Sequence, residues 1–286
     1  MKDYNIRKLF KVTKEEADDD FQKLVANTPS MKSHIGNKAV DFYTKHHRLR
    51  TIVNNKMSLA QAFEKPDVLL KLEKFAMRLR SLKKSQVDEG DIAAAFRLSV
   101  GSNNQFKASY AKFMYKKFGA RNILDPTAGW GGRCVGAMAL GLNYTGVDSN
   151  TTLKSSYNKM IKRFNVHKSK IHMIWKSALQ VDYSKIKYDF VLTSPPYYNL
   201  EIYPKSKHFS TEIEWNKHFY TPLFTKVWKG LDKGGWMCIN IKNDVYKVLK
   251  KFLGKCDTKV IYPKSSRPSG LSSGKKNIEF TYCWKK

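Results

Sequence analysis

The chain has no apolar run near the length needed to cross a bilayer as a helix and no internal repeat, so no membrane role is indicated and a solenoid has no support. Its opening residues, Met1 to Asp20, hold no continuous apolar stretch ahead of a small-residue cleavage site, so an intracellular protein is expected. Cysteine is scarce. Cys134, Cys238, Cys256 and Cys283 are scattered without C-x-x-C spacing, and no cluster of histidines or carboxylates completes a metal quartet. Reduced, mostly buried thiols and no bound metal are the expectation. Carboxylates are scarce as well: 24 Asp and Glu stand against 53 Lys and Arg, a formal charge of +29. Solubility needs only a fraction of that, so a polyanionic partner is implied. The excess is concentrated after residue 100, where 33 basic side chains meet 11 acidic ones; before it the counts are 20 and 13.

What is present suffices for a sizeable core: 286 residues, 42% hydrophobic and 13% aromatic. Residues 1–100 read as a helical N-terminal region. Thr13 precedes an acidic first turn at Glu15 and Glu16, and the stretches Ser58–Phe63 and Val68–Leu82 space apolar residues as a helix does. The polar run Val100–Gln105 marks a boundary, and Phe106–Phe118 reads as a short amphipathic helix closed by Gly119. From there to residue 286 short apolar runs alternate with helical segments, the pattern of a parallel sheet wrapped by helices. Strands are expected at Asn122–Leu124, Asn143–Val147, Ile171–Ile174, Asp189–Thr193, Gly235–Ile241, Thr258–Ile261 and Ile278–Trp284. Helices are expected after Gly131, after Ser149, near Trp215 and near Asp244. The last two strands flank an exposed loop and should form an antiparallel pair.

Three motifs carry chemistry. In the first, Asp125-Pro126-Thr127-Ala128-Gly129-Trp130-Gly131-Gly132-Arg133, a strand runs into a glycine turn and then a helix. Glycines let backbone approach a ligand, and a helix start offers unpaired N–H groups. The turn lacks the G-x-G-x-x-G order and the Walker ending, which weakens dinucleotide and triphosphate readings. Asp125 suits a cationic ligand better than a polyphosphate, and the sulfonium and ammonium groups of S-adenosylmethionine fit that logic. In the second, Asp148 and Ser149 end the next strand, placing an acid where it can hold both ribose hydroxyls. In the third, an apolar strand stops at Ser194-Pro195-Pro196-Tyr197-Tyr198. Two prolines fix the backbone and remove two donors, leaving carbonyls as acceptors. That suits an amino-group substrate: Ser194 Oγ and the Pro195 carbonyl accept its hydrogens, and Tyr197 stacks on a base swung out of its helix.

Asp-Pro-x-x-Gly-x-Gly followed by Ser-Pro-Pro-Tyr resembles the S-adenosylmethionine-dependent amino-methyltransferases that modify N4 of cytosine or N6 of adenine in DNA. The resemblance covers roughly residues 100–286 and implies a Rossmann-like class I methyltransferase fold: a mostly parallel seven-stranded sheet with a final antiparallel strand. It implies that Asp125, Gly129 and Gly131 hold the donor's methionine portion, Asp148 its ribose, and Ser194, Pro195, Pro196 and Tyr197 the target amine. Phe106 and Lys107 fall where this group places a further cofactor-binding segment. Serine at the first position of the tetrapeptide leans toward cytosine N4.

Two departures mark a divergent branch, such as phage and virus enzymes carry. The acid usual near the end of the third strand is missing from Ile174-Trp175-Lys176-Ser177-Ala178, leaving Ser177 or Trp175 for the donor's adenine. Trp130 and Arg133 also replace the small residue and Thr common in the glycine turn. Around the site, residues 199–203 fit a lid over the flipped base and equally an ordinary surface connection. Tyr198 and the loop cations Lys264, Arg267, Lys275 and Lys276 are candidate nucleic-acid contacts. The cluster His46, His47, Arg48 and Arg50 reads better as a solvated helix face. DNA is thus the expected partner, with an RNA base methyltransferase of the same fold as the alternative. A catalytically inactive nucleic-acid-binding subunit remains a further reading, and methylation of a protein glutamine is disfavoured.

Overall fold

Local signals set the ends of the early helices. In the computed structural model, which describes residues 3–27, 31–81, 83–198, 209, 211–263 and 279–286, Thr13 caps α1 (Lys14–Ala26). Its hydroxyl accepts the Glu16 N–H while the Glu16 carboxylate accepts the Thr13 N–H, satisfying two orphan donors reciprocally. After α2 (Asn37–Leu49), the pair Ser58 and Gln61 does the same for α3 (Leu59–Glu64). Helix α4 (Pro66–Arg80) starts on a proline, whose missing N–H costs nothing there. Asp88 and Asp91 cap α5 (Glu89–Ser99), and α6 (Ala108–Lys117) leads by way of a left-handed Gly119 into the sheet.

The seven strands are β1 (Asn122–Asp125), β2 (Asn143–Asp148), β3 (Ile171–Trp175), β4 (Phe190–Thr193), β5 (Trp236–Ile241), β6 (Thr258–Tyr262) and β7 (Glu279–Lys285). Between them lie α7 (Gly132–Met138), α8 (Lys154–Phe164), α9 (Glu212–Trp215), α10 (Thr221–Gly230) and α11 (Asn243–Leu253). A π-turn over Asn216–Tyr220 joins α9 to α10. The spatial order is β3-β2-β1-β4-β5-β7-β6, with β1 to β5 parallel and β7 antiparallel to both its neighbours. This is the expected Rossmann-like class I methyltransferase fold. The chain builds outward from β1 to β3 and then returns to lay β4 on the other side of β1. That reversal opens a crevice outside the carboxyl ends of β1 and β4, where open α/β sheets take ligands.

One face of the sheet is covered by α6, α7 and α8, and α1 and α2 join the same core through Phe21, Leu24 and Val40. The other face is covered by α10 and α11 through Leu223, Val227 and Leu249. Each such fully buried side chain contributes about 1.5–3 kcal/mol. Tyr4, Leu72, Ile92 and Phe96 form a separate cluster with α3, α4 and α5. Packing therefore runs across residue 100, because α1 and α2 sit on the sheet unit. Lys112 of α6 helps hold α1 there. Its buried ammonium donates to the carbonyls of Leu24, Val25 and Asn27, matching three N–H groups to three orphan acceptors at the end of α1.

The expectation of four reduced thiols needs correction. Cys238 of β5 and Cys283 of β7 stand directly opposite in the ladder and are joined as a disulfide, whereas Cys134 and Cys256 are free. Strand register, invisible in a spacing of 45 residues, brings the pair together. No helix among the described residues is long and apolar enough to cross a membrane, and no group of three or more His, Cys, Asp or Glu among them is placed to hold a metal ion.

Candidate active site

The turn after β1 is shaped by what cannot be there. Gly131 has φ +101°, and a Cβ on it would come 2.7 Å from Met160 Cε; a Cβ on Gly132 would come 2.0 Å from the Phe106 carbonyl oxygen. Only glycine lets α7 start against the 106–108 backbone at this distance. Behind the turn, the Ala128 N–H donates to the Val147 carbonyl and the Tyr157 hydroxyl donates to the Gly129 carbonyl at 2.9 Å. Burial holds the Tyr157 phenol well above its usual range, so it remains a donor.

Asp125, expected to face the donor's cationic groups, is turned inward. Its carboxylate is fully buried and saturated: Arg133 Nε donates at 2.6 Å, the Tyr144 hydroxyl at 2.7 Å, the Thr193 hydroxyl at 2.9 Å and the Thr127 N–H at 3.3 Å. Arg133 is itself 4% exposed and lies over the Phe106 ring at 4.7 Å. The negative charge is thus neutralised inside the protein instead of facing a cationic donor. Asp125 instead acts as an anchor that ties β1, β2, α7 and the end of β4 into one unit. Phe106 belongs to this assembly as the platform beneath Arg133. Lys107 turns away: its N–H donates to the Tyr262 hydroxyl and its ammonium to the Lys32 carbonyl.

Asp148 keeps the geometry of a hydroxyl acceptor. Its Oδ2 accepts the Gly129 N–H at 2.7 Å and its Oδ1 the Asn150 N–H at 2.8 Å, which leaves lone pairs on both oxygens of a half-buried side chain. Desolvation pushes its carboxyl up to about 6, outweighing the pull of those two N–H groups. Hydroxyl recognition needs the ionised form. Donor affinity measured by calorimetry should therefore be about tenfold weaker at pH 5 than at pH 7, and the dependence should vanish in Asp148→Asn. Folding has the opposite sign. A carboxyl raised above its ordinary 3.8 contributes stability below about pH 4 that is lost as pH rises through 6.

Trp175 closes β3 directly beside Asp148 in the register, with its indole edge-on to Tyr157. Ser177 follows it, half-buried, at the start of the turn Ala178–Gln180. Both candidates for the donor's adenine thus lie on the Asp148 side of the crevice, and Ser149 is placed there with them.

The Ser-Pro-Pro-Tyr segment emerges from β4 on the same edge of the sheet and touches the glycine turn. Thr127 Oγ1 is 2.6 Å from Thr193 Oγ1 and donates to the Ser194 carbonyl at 3.3 Å. The Tyr220 hydroxyl donates to the Pro196 carbonyl at 2.8 Å. Two acceptors of the segment are thereby occupied, while among the described residues no hydrogen bond engages Ser194 Oγ or the Pro195 carbonyl. The Lys242 ammonium lies over the Tyr197 ring at 4.6 Å, and Tyr198 donates to the Phe209 carbonyl at 3.2 Å.

Some expected residues fall outside the described part of the chain: Lys264, Arg267, Lys275, Lys276 and the stretch 199–203. Their roots are nevertheless placed. Tyr262 ends β6 and Glu279 begins β7, and because β6 runs parallel to β5 both lie at the same edge as the site. In the α2 cluster, Arg48 pairs with Asp41 and His47 meets Ser156 of α8 at 3.2 Å, so part of it makes local contacts. Burial, together with neighbouring His46 and Arg50, holds His47 down at about 4, and it stays neutral. Sequence reasoning did not single out Tyr144, Thr193, Tyr157, Tyr220 or Lys242. A polar residue in an otherwise apolar strand, as at Thr193, was the one signal available for them.

No protein-family model and no curated protein matches the chain. Among solved structures it is similar to TrmN from Thermus thermophilus, at 13% identity over 77% of this chain and 79% of that one with a TM-score of 0.47. It is similar to a provisionally assigned RNA methyltransferase from Pyrococcus horikoshii, at 17% identity over 76% and 98% with a TM-score of 0.44. A SAM-dependent O-methyltransferase from Thermotoga maritima gives 11% identity over 67% and 70%, also with a TM-score of 0.44. Likenesses this distant carry no argument about the reaction, which rests on the chain's own residues.

Proposed function

We propose that the protein transfers a methyl group from S-adenosylmethionine to the exocyclic amino group of a nucleic-acid base, with DNA favoured over RNA and N4 of cytosine ahead of N6 of adenine. The observation that carries this is the direct contact between the glycine turn and the Ser-Pro-Pro-Tyr segment through Thr127, beside which Ser194 Oγ and the Pro195 carbonyl accept no hydrogen bond from any described residue. The residues fit the donor: Asp148 retains lone pairs for two hydroxyls, and the Gly129–Gly132 turn admits backbone approach. When bound, the donor supplies an electrophilic methyl group on a cationic sulfur.

The chain's part is to prepare the acceptor. An aromatic amine's lone pair is delocalised into its ring. Two acceptors fixed at the ends of its N–H bonds favour a pyramidal nitrogen whose lone pair points away from them. Ser194 Oγ and the Pro195 carbonyl supply those acceptors, and the Tyr197 ring, which carries the Lys242 ammonium over one face, offers its other face to the flipped base. The preference for cytosine follows from the serine, and that for DNA from the resemblance described above.

The test is to incubate the protein with S-adenosylmethionine labelled in its methyl group and, separately, with DNA and RNA, then digest to nucleosides and weigh them. N4-methylcytosine in DNA is the expected product. Label confined to RNA would replace DNA as substrate. Absence of label from both, with no donor binding by calorimetry, would return the chain to the inactive nucleic-acid-binding reading.

A further inference from the structure

Between Asp148 and Asp182 the sequence holds no carboxylate, yet it carries six lysines and an arginine. That stretch folds into α8 and β3, and β3 is one of the two edge strands of the sheet. All six lysines are exposed. The arginine, Arg163, is bound to Asp18 of α1 and so is already compensated. The helix and the edge strand are not flush. A cavity of about 480 Å³ lies between them, with Ile161, Ile171 and Met173 among its apolar lining and Lys154, Lys162 and His172 exposed around it. Trp175 lines it too, and pairs in register with Asp148. Helix α8 also reaches the glycine turn through the Tyr157 hydroxyl. Trp175 thus belongs both to the groove and to the strand end beside Asp148.

We propose that a nucleic-acid strand lies along this edge, its phosphates against Lys154, Lys162 and Lys170 and its path leading to the crevice between β1 and β4. Like charges gathered in one acid-free stretch repel one another without improving solubility beyond what a smaller charge provides. A polyanion relieves that repulsion. Sites for single strands pair cations that follow the backbone with an aromatic surface on which a base stacks, and this groove has both. The inference deepens the proposed function and rests on it only for where the strand leads; charge and shape carry the rest.

The experiment measures binding of a fluorescein-labelled single strand of about twenty nucleotides by anisotropy over a range of salt concentrations. The variant Lys154→Gln/Lys162→Gln/Lys170→Gln is compared with Lys71→Gln/Lys74→Gln/Arg78→Gln, three exposed cations on α4. The first should lose about 2 from the slope of log K against log salt, at about 0.7 per phosphate contact, and bind at least about tenfold more weakly at moderate salt. The second should stay within about twofold of the parent. An unchanged slope in the first, or equal losses in both, overturns the proposal. Calorimetry with S-adenosylmethionine on the same proteins keeps the two readings apart. Failure of the parent to bind the donor would sink the proposed reaction and leave the strand path to be judged by the salt slopes alone.

Discussion

Asp125→Ala should cost about 3–5 kcal/mol of folding stability, read as a fall in the urea midpoint with unchanged slope. The size follows from what is left behind. Arg133 is almost fully buried, and its nearest carboxylate would be gone, so an uncompensated guanidinium would remain among Phe106, Tyr115 and Tyr144. The Tyr144 and Thr193 hydroxyls would lose their acceptor at the same time. The double variant Asp125→Leu/Arg133→Met should recover much of the loss, since a buried ion pair replaced by apolar groups of similar volume is often close to neutral. It should not recover donor affinity to the same degree. Thr127 and Thr193 would lose the carboxylate that orients them, and with it the alignment of the two loops. A midpoint for Asp125→Ala within error of the parent would show that this carboxylate is not the anchor assigned to it.

Pro195→Ala should fold, bind S-adenosylmethionine with unchanged affinity, and transfer methyl groups at least about a hundredfold more slowly. The substitution keeps the carbonyl but frees φ and restores an N–H in a segment where both features were removed. The acceptor would then sample directions away from the amine. The carbonyls on either side are held, by Thr127 at Ser194 and by Tyr220 at Pro196, so the disturbance stays local and the donor pocket at Asp148 is not reached. Labelled-donor turnover and calorimetry on one preparation separate the two effects. Full activity in the variant would remove Pro195 from the acceptor pair.

The secondary structure was largely legible because its signals are local. Capping residues at Thr13 and Ser58, a glycine after α6 and short apolar runs between turns each act over a few residues. Strand ends therefore agree with expectation to within a residue, as at Asn143 and Trp236. The candidate site was legible in part. Asp148, Ser194, Pro195 and Tyr197 sit at strand ends on one edge, as their positions along the chain implied. The internal partners of Asp125 were not legible, because a carboxylate before a glycine turn looks the same whether it faces a ligand or an arginine eight positions on. Arg133 was visible only as an unusual residue. Tyr144 and Tyr220 carried no signal, since a tyrosine in a strand or helix is ordinarily core.

By itself the sequence determined the elements, their alternation and hence the layered fold, together with the chemical types gathered at the two motifs. Periodicity, turn residues and capping are properties of neighbouring residues, and a linear text holds them in full. Only the tertiary structure decided which charges neutralise one another and which stay open to a partner. Asp125 was withdrawn into a buried pair, Asp148 was left accessible, and the acid-free stretch after it was laid along a free edge of the sheet. Those outcomes depend on distances between residues far apart in the chain, and a charge acquires its role from the dielectric and the partners around it, which only folding sets.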